Sequence, residues 1–192
     1  MEKSTHPVYI GLDMDGVIID HTLPKIRLAE KYGIMIAPEQ TPSEIMKTLL
    51  PAEAWKELQH TLYSDPAVAF ASPIMRGARP ALRELVNKKV PFALISRRKD
   101  PEIAKTLLKR SGLWDAFFTE KNTFFVASPE EKNVRARELG VTHYLDDELK
   151  VLDALAQVPN RYLFDKYEAF GGRNTYQAIK SWQEFLMTLN LL

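Results

Sequence analysis

Val8-Tyr9-Ile10-Gly11-Leu12-Asp13-Met14-Asp15-Gly16-Val17 is the stretch on which the reading of this 192-residue chain turns. Its apolar opening is too compact for a helix and breaks off in an acidic turn, Asp13-Met14-Asp15-Gly16. A short apolar run bounded by turn residues reads as a buried strand. Four later runs share that form: Val90 to Ser96, Thr123 to Val126, Val141 to Leu145 and Arg161 to Phe164.

Helical periodicity fills the intervals. Ala78 to Lys89 carries Ala81, Leu82, Leu85 and Val86 on one face, and Pro101 to Ser111 repeats the pattern with Ile103, Ala104, Leu107 and Leu108 before Gly112. Ser128-Pro129-Glu130-Glu131 has the form of a capping box, and its helix runs to about Gly140. Leu149 to Ala156 and Tyr176 to Leu189 complete the set. Strands alternating with helices predict an α/β fold, a parallel sheet covered on both faces.

The interval between the first strand and Ala78 breaks the rhythm. Leu23, Ile26, Ala29 and Tyr32 form a helical stripe closed by Gly33, Thr41-Pro42-Ser43-Glu44 opens a second helix, and Pro51 starts a third with Trp55, Leu58 and Leu62. The expected organisation is a core of residues 1–20 and 76–192 with a small helical lid, residues 21–75, inserted after the first strand.

Composition narrows the chemistry. Zero Cys removes disulfides, thiolate zinc sites and cysteine nucleophiles, and the four His (His6, His21, His60, His143) form no helical pair to hold a metal. A net charge of +1 leaves no field to attract a nucleic acid polymer or an anionic membrane, so an anionic substrate must be held locally. No apolar run approaches the roughly 20 residues that cross a bilayer. Residues 1–7 lack a secretory apolar segment, and a cytoplasmic chain is the expectation.

Open parallel sheets bind ligands outside the carboxyl ends of their strands. There the sequence puts Asp13 and Asp15, then Ser96, then Asp146 and Asp147, with Lys132 in the first turn of the helix before the fourth strand. So many carboxylates beside one amine repel one another unless a cation sits among them, and a hard divalent ion, Mg²⁺, answers that repulsion. Each residue also has a structural reading. Asp13 and Asp15 can be turn formers, Asp147 a helix N-cap, Ser96 a strand end and Lys132 a solvated helix residue. Arg97-Arg98-Lys99 reads as a solvated loop or as added phosphate-binding charge. Trp55, Tyr63 and Phe70 read as packing, with a base-stacking platform as the alternative, and His143 as a structural histidine.

Taken together, Asp13-Met14-Asp15-Gly16-Val17, Ser96, Lys132 and Asp146-Asp147 resemble the four motifs of the haloacid dehalogenase-like (HAD) superfamily, in that family's order along nearly the whole chain. The resemblance implies a Rossmannoid, doubly wound parallel sheet with a small helical cap. It implies a Mg²⁺-dependent phosphatase acting on a small phosphorylated metabolite through an aspartyl-phosphate. Asp13 would be the nucleophile and Asp15 the general acid and base. Ser96 and Lys132 would hold the phosphoryl oxygens, and Arg97, from the basic run read above, would add phosphate-binding charge beside them. Asp13, Asp146, the Asp15 carbonyl and a supporting Asp147 would hold the metal. Arg161-Tyr162-Leu163-Phe164-Asp165 and Ile179-Lys180-Ser181-Trp182-Gln183-Glu184 are similar to the tail of the deoxyribonucleotidase-type branch, whereas Ile95-Ser96-Arg97-Arg98 departs from it. A receiver-like phosphoacceptor and a catalytically silent binding protein of the same fold are the competing readings. The oligomeric state is not legible in the sequence.

Overall fold

The computed structural model describes residues 8–172 and 175–192. His6 and the N-terminal stretch read above for a secretory segment lie outside the described residues. Within them a six-stranded sheet has the order β3-β2-β1-β4-β5-β6. Its strands are β1 (Ile10–Leu12), β2 (Phe92–Ser96), β3 (Thr123–Phe125), β4 (His143–Asp146), β5 (Asn160–Phe164) and β6 (Gln177–Ile179), and every pairing is parallel.

The helices outside the interval after β1 are α5 (Ala78–Asn87), α6 (Pro101–Arg110), α7 (Pro129–Glu138), α8 (Leu149–Ala154) and α9 (Trp182–Thr188). Both faces of the sheet are buried, which is why its strands read as unbroken apolar runs. Ile10, Leu12 and Leu94 join Leu82, Leu85, Trp182 and Phe185 in one apolar cluster. Ala93 and Ile95 join Ala136, Tyr144, Val151 and Leu163 in the other. Gly11 faces this second cluster, and a Cβ there would lie 2.4 Å from the Tyr144 ring, so the strand needs its smallest residue at that position.

One expectation is corrected at the carboxyl end. Tyr176 to Leu189 is not a single helix: Gln177–Ile179 add a sixth strand beside β5, and the helix begins only at Trp182, capped by the Ser181 hydroxyl, which accepts from the Glu184 N–H at 3.1 Å.

The interval after β1 holds α1 (Thr22–Glu30), a 3-10 turn (Pro38–Gln40), α2 (Ser43–Leu49), α3 (Ala52–Ser64) and α4 (Pro66–Ala69). The sequence reading lacked α4, a short turn capped by the Asp65 carboxylate, which accepts from the Ala67 N–H. This insert has its own apolar cluster of Leu28, Ala29, Met46, Leu58 and Leu62. Its two connections to the core lie side by side: the Asp20 N–H donates to the Pro73 carbonyl and the Met75 N–H to the Ile18 carbonyl, both at 2.8 Å. No helix among the described residues is long and apolar enough to cross a membrane.

Candidate active site

Register brings the acidic residues together. Leu12 on the central strand β1 pairs with Leu94 on one side and Leu145 on the other, so Asp13 and Asp146 leave neighbouring strands side by side. The chain runs from β1 outward to β3 and then returns to β4 on the opposite side of β1, which makes this edge a topological switch point. The Asp13 N–H donates to the Leu145 carbonyl at 3.1 Å and fixes the turn.

Lys132 arrives from α7, whose start is set by the Ser128 hydroxyl accepting from the Glu131 N–H at 3.2 Å. Its ammonium lies 2.6 Å from Oδ1 of Asp13 and 2.7 Å from Oδ2 of Asp146, and its side chain is 1% exposed. The solvated-helix reading of Lys132 is therefore overturned. The two carboxylates hold the Lys132 charge well above its ordinary range despite burial, which opposes it.

Asp13, Asp146 and Asp147 each place a carboxylate oxygen within 4.8 Å of the others. Asp147 does not cap α8: Glu148 occupies the cap position and uses no side-chain bond. Its carboxylate instead lies against Gly16, where φ is +82° and a Cβ would lie 2.1 Å from Oδ2. Glycine is required there for both backbone and space. Burial pushes the Asp13 and Asp147 carboxyls up, and Asp146 is pushed up to about 7. Asp13 and Asp146 share one ammonium, and the third acid, Asp147, has no hydrogen bond or ion pair among the described residues. Hard oxygen donors short of positive charge suit a small divalent cation.

Asp15 is held differently. Arg98 grips it bidentately, Nε to Oδ2 and Nη2 to Oδ1, both at 2.7 Å, and His21 Nε2 lies 2.5 Å from Oδ1. Burial raises the proton affinity of Asp15, but Arg98 and His21 outweigh it and hold the carboxyl well below the usual range. Burial likewise pushes the His21 imidazole down. Ser72 Oγ lies 2.8 Å from His21 Nδ1, which ties both ends of the insert to Asp15. Arg98 also donates to the Tyr63 carbonyl at 3.2 Å and lies 4.7 Å from the centre of the Tyr63 ring.

The solvated-loop reading is thus wrong for Arg98, which is buried, and fits only Lys99, which is exposed. Arg97 is half-buried and forms an ion pair with Glu148. Ser96 is buried at the end of β2, where its Oγ accepts from the Arg98 N–H at 3.3 Å. The cleft above has a volume of about 610 Å³, and its lining includes Asp13, Asp15, Arg97, Arg98, Lys132, Asp146 and Asp147 but not Ser96. The sequence singled out Arg98 only within a basic run and assigned His21 no role; Arg98 reaches Asp15 across 83 residues, while His21 reaches Asp15 across six and Ser72 across 51.

Neither a family model nor a curated protein matches the chain. Solved structures do. A HAD family hydrolase from Deinococcus radiodurans R1, with bound phosphate and sodium, superposes with a TM-score of 0.68 at 16% identity, over 97% of each chain. A predicted phosphatase from Clostridium acetobutylicum gives 0.67 at 16% identity, covering 98% of this chain and 100% of that one. The fold is that of the haloacid dehalogenase-like proteins. A conserved haloacid dehalogenase-like protein of unknown function from Agrobacterium tumefaciens str. C58 shares the HAD-like fold with a TM-score of 0.65 at 15% identity, over 96% of this chain and 98% of that one.

Proposed function

We propose that this HAD-like chain is a Mg²⁺-dependent phosphatase that hydrolyses small phosphomonoesters through a phosphorylated Asp13. The observation that carries the reading is the Lys132 ammonium between Asp13 and Asp146 at the floor of a cleft roofed by the helical insert. A carboxylate attacks phosphorus only where the charge on the phosphoryl oxygens is neutralised. Lys132 and Arg97 supply cations to that position.

Asp13, Asp146 and Asp147, with the Asp15 carbonyl, would hold Mg²⁺, which when bound offsets phosphoryl charge. Asp13 forms the new bond to phosphorus as the ester oxygen departs with the electron pair of the broken bond. Asp15 gives that oxygen its proton, then accepts one from the water that cleaves the aspartyl-phosphate. The Arg98 grip keeps Asp15 ionised, the form needed in the second step. The first step needs Asp15 protonated, which that same grip opposes. Ser96 orients the turn that carries Arg97 and Arg98. The insert acts as a cap that excludes water and selects the leaving group.

The nucleotidase reading is supported by Trp55, which lines the cleft; the Tyr63 ring is already covered by Arg98. Nucleoside monophosphates therefore belong in the substrate panel. The test is hydrolysis of an aryl phosphate with and without Mg²⁺. Activity that needs Mg²⁺ and disappears in Asp13→Asn is the expected result, and full activity in that variant removes Asp13 as nucleophile. A phosphoryl adduct that persists for minutes without turnover points instead to a receiver-like role.

A further inference from the structure

We infer that the leaving group accepted by this site carries a second anionic group, a carboxylate or a second phosphate, bound by lysines of the helical insert. The inference rests on the phosphatase reading of the floor and adds the class of substrate.

Charge is mixed on the core side of the cleft and mainly positive on the insert side. The core supplies the acids Asp13, Asp15, Asp100, Asp146, Asp147 and Glu148 together with Arg97, Arg98, Lys99, Lys132 and Lys150, whereas the insert supplies Lys25, Lys47 and Lys56 against one acid. Glu44, an acid of the insert on the same wall, has its Oε1 occupied by the Lys150 N–H at 2.9 Å. Among the described residues, none of the three lysines has a carboxylate oxygen within 4.0 Å.

Lys25 decides the matter. It is 5% exposed on α1, whose other buried residues are Leu28 and Ala29. Its ammonium donates to the Thr41 carbonyl at 3.0 Å and the Ser43 hydroxyl at 3.2 Å, so two neutral oxygens serve a group with three donors. A buried ammonium without an anion is costly, and a site that keeps one has a use for its charge. Lys47 and Lys56 are exposed at the mouth of the same cleft, where they extend the positive wall outward. A substrate with its phosphoryl group on the acidic floor meets these amines with the far end of its leaving group.

The competing account is that Lys25 only balances the floor acids, since Asp147 feels its charge. That account predicts equal effects on every substrate, whereas anion recognition predicts discrimination. The experiment compares glycerol phosphate, phosphoglycerate and glycerol bisphosphate as substrates of the full chain with Mg²⁺. The expected kcat/KM is at least tenfold higher for the two acidic compounds, and the better of them tells carboxylate from phosphate. In Lys25→Met and in the exposed double variant Lys47→Gln/Lys56→Gln that ratio falls toward one, through KM. A wild-type ratio at or below one, or a ratio unmoved in both variants, overturns the inference. If no phosphate ester is hydrolysed, aryl phosphate included, the phosphatase reading fails and calorimetry decides. Tenfold tighter binding of phosphoglycerate than of glycerol phosphate supports the lysine wall, and equal or weaker binding refutes it.

Discussion

The ammonium of Lys132 lies 2.6 Å from Asp13, a residue 119 positions earlier in the chain, and no solvent reaches either group freely. Removing one partner of a buried ion pair leaves the other charge uncompensated, at a cost of about 3–5 kcal/mol. Lys132→Met should therefore lose that much stability in urea denaturation as well as phosphatase activity. A variant of unchanged stability would show that the pair is not buried in solution.

Asp147 behaves oppositely. It is buried and crowded by Glu148 and Asp146, which the charge of Lys25 offsets only in part, so its ionised form opposes folding until a metal is bound. In chelator at mildly alkaline pH, Asp147→Asn should be more stable than wild type. Thermal denaturation reads this directly. Added Mg²⁺ should raise the melting temperature of the wild type and do little for the variant.

Gly16 is expected to tolerate no side chain. Gly16→Ala forces a methyl group to within 2.1 Å of the Asp147 carboxylate and holds a φ of +82° that alanine resists. The expected loss of stability is more than about 1 kcal/mol, together with weakened Mg²⁺ binding measured by calorimetry. Unaltered Mg²⁺ affinity would dissociate this turn from the metal site.

The elevated Asp146 carboxyl sets a pH dependence. Its pKa rises from 3.8 to about 7 on folding, so the folded chain binds this proton more tightly than the unfolded one. The metal-free protein should accordingly lose stability as pH climbs from about 4 to about 7. Metal must displace the same proton, so Mg²⁺ affinity should rise across the upper part of that window, by up to about tenfold per unit for one proton. It should level off above about 7. Calorimetry at several pH values checks the sign, and affinity that falls with rising pH contradicts it.

Much of this was readable in one dimension because each strand end carries its polar residue directly after an apolar run. Asp13 follows Ile10-Gly11-Leu12 and Asp146 follows Tyr144-Leu145, so a parallel sheet alone puts them on one edge. Lys132 was placed by its capping box. Arg98 was not legible, since three successive basic residues after a strand read as a solvated loop, and only the closure of Tyr63 and Asp15 around its guanidinium buries it. His21 needed Ser72 and Asp15 to be brought to it by folding. The sixth strand was too short to interrupt the helical pattern that follows, and its pairing with Tyr162 to Phe164 is a tertiary event.

The paired connections at Asp20 and Pro73 let the chain leave and rejoin the sheet layer across one rung of backbone bonds. His21, Tyr63 and Ser72 lie between those residues and reach Asp15 and Arg98, so a foreign insert grafted at this junction must supply those contacts anew if the acidic edge is to keep its arrangement.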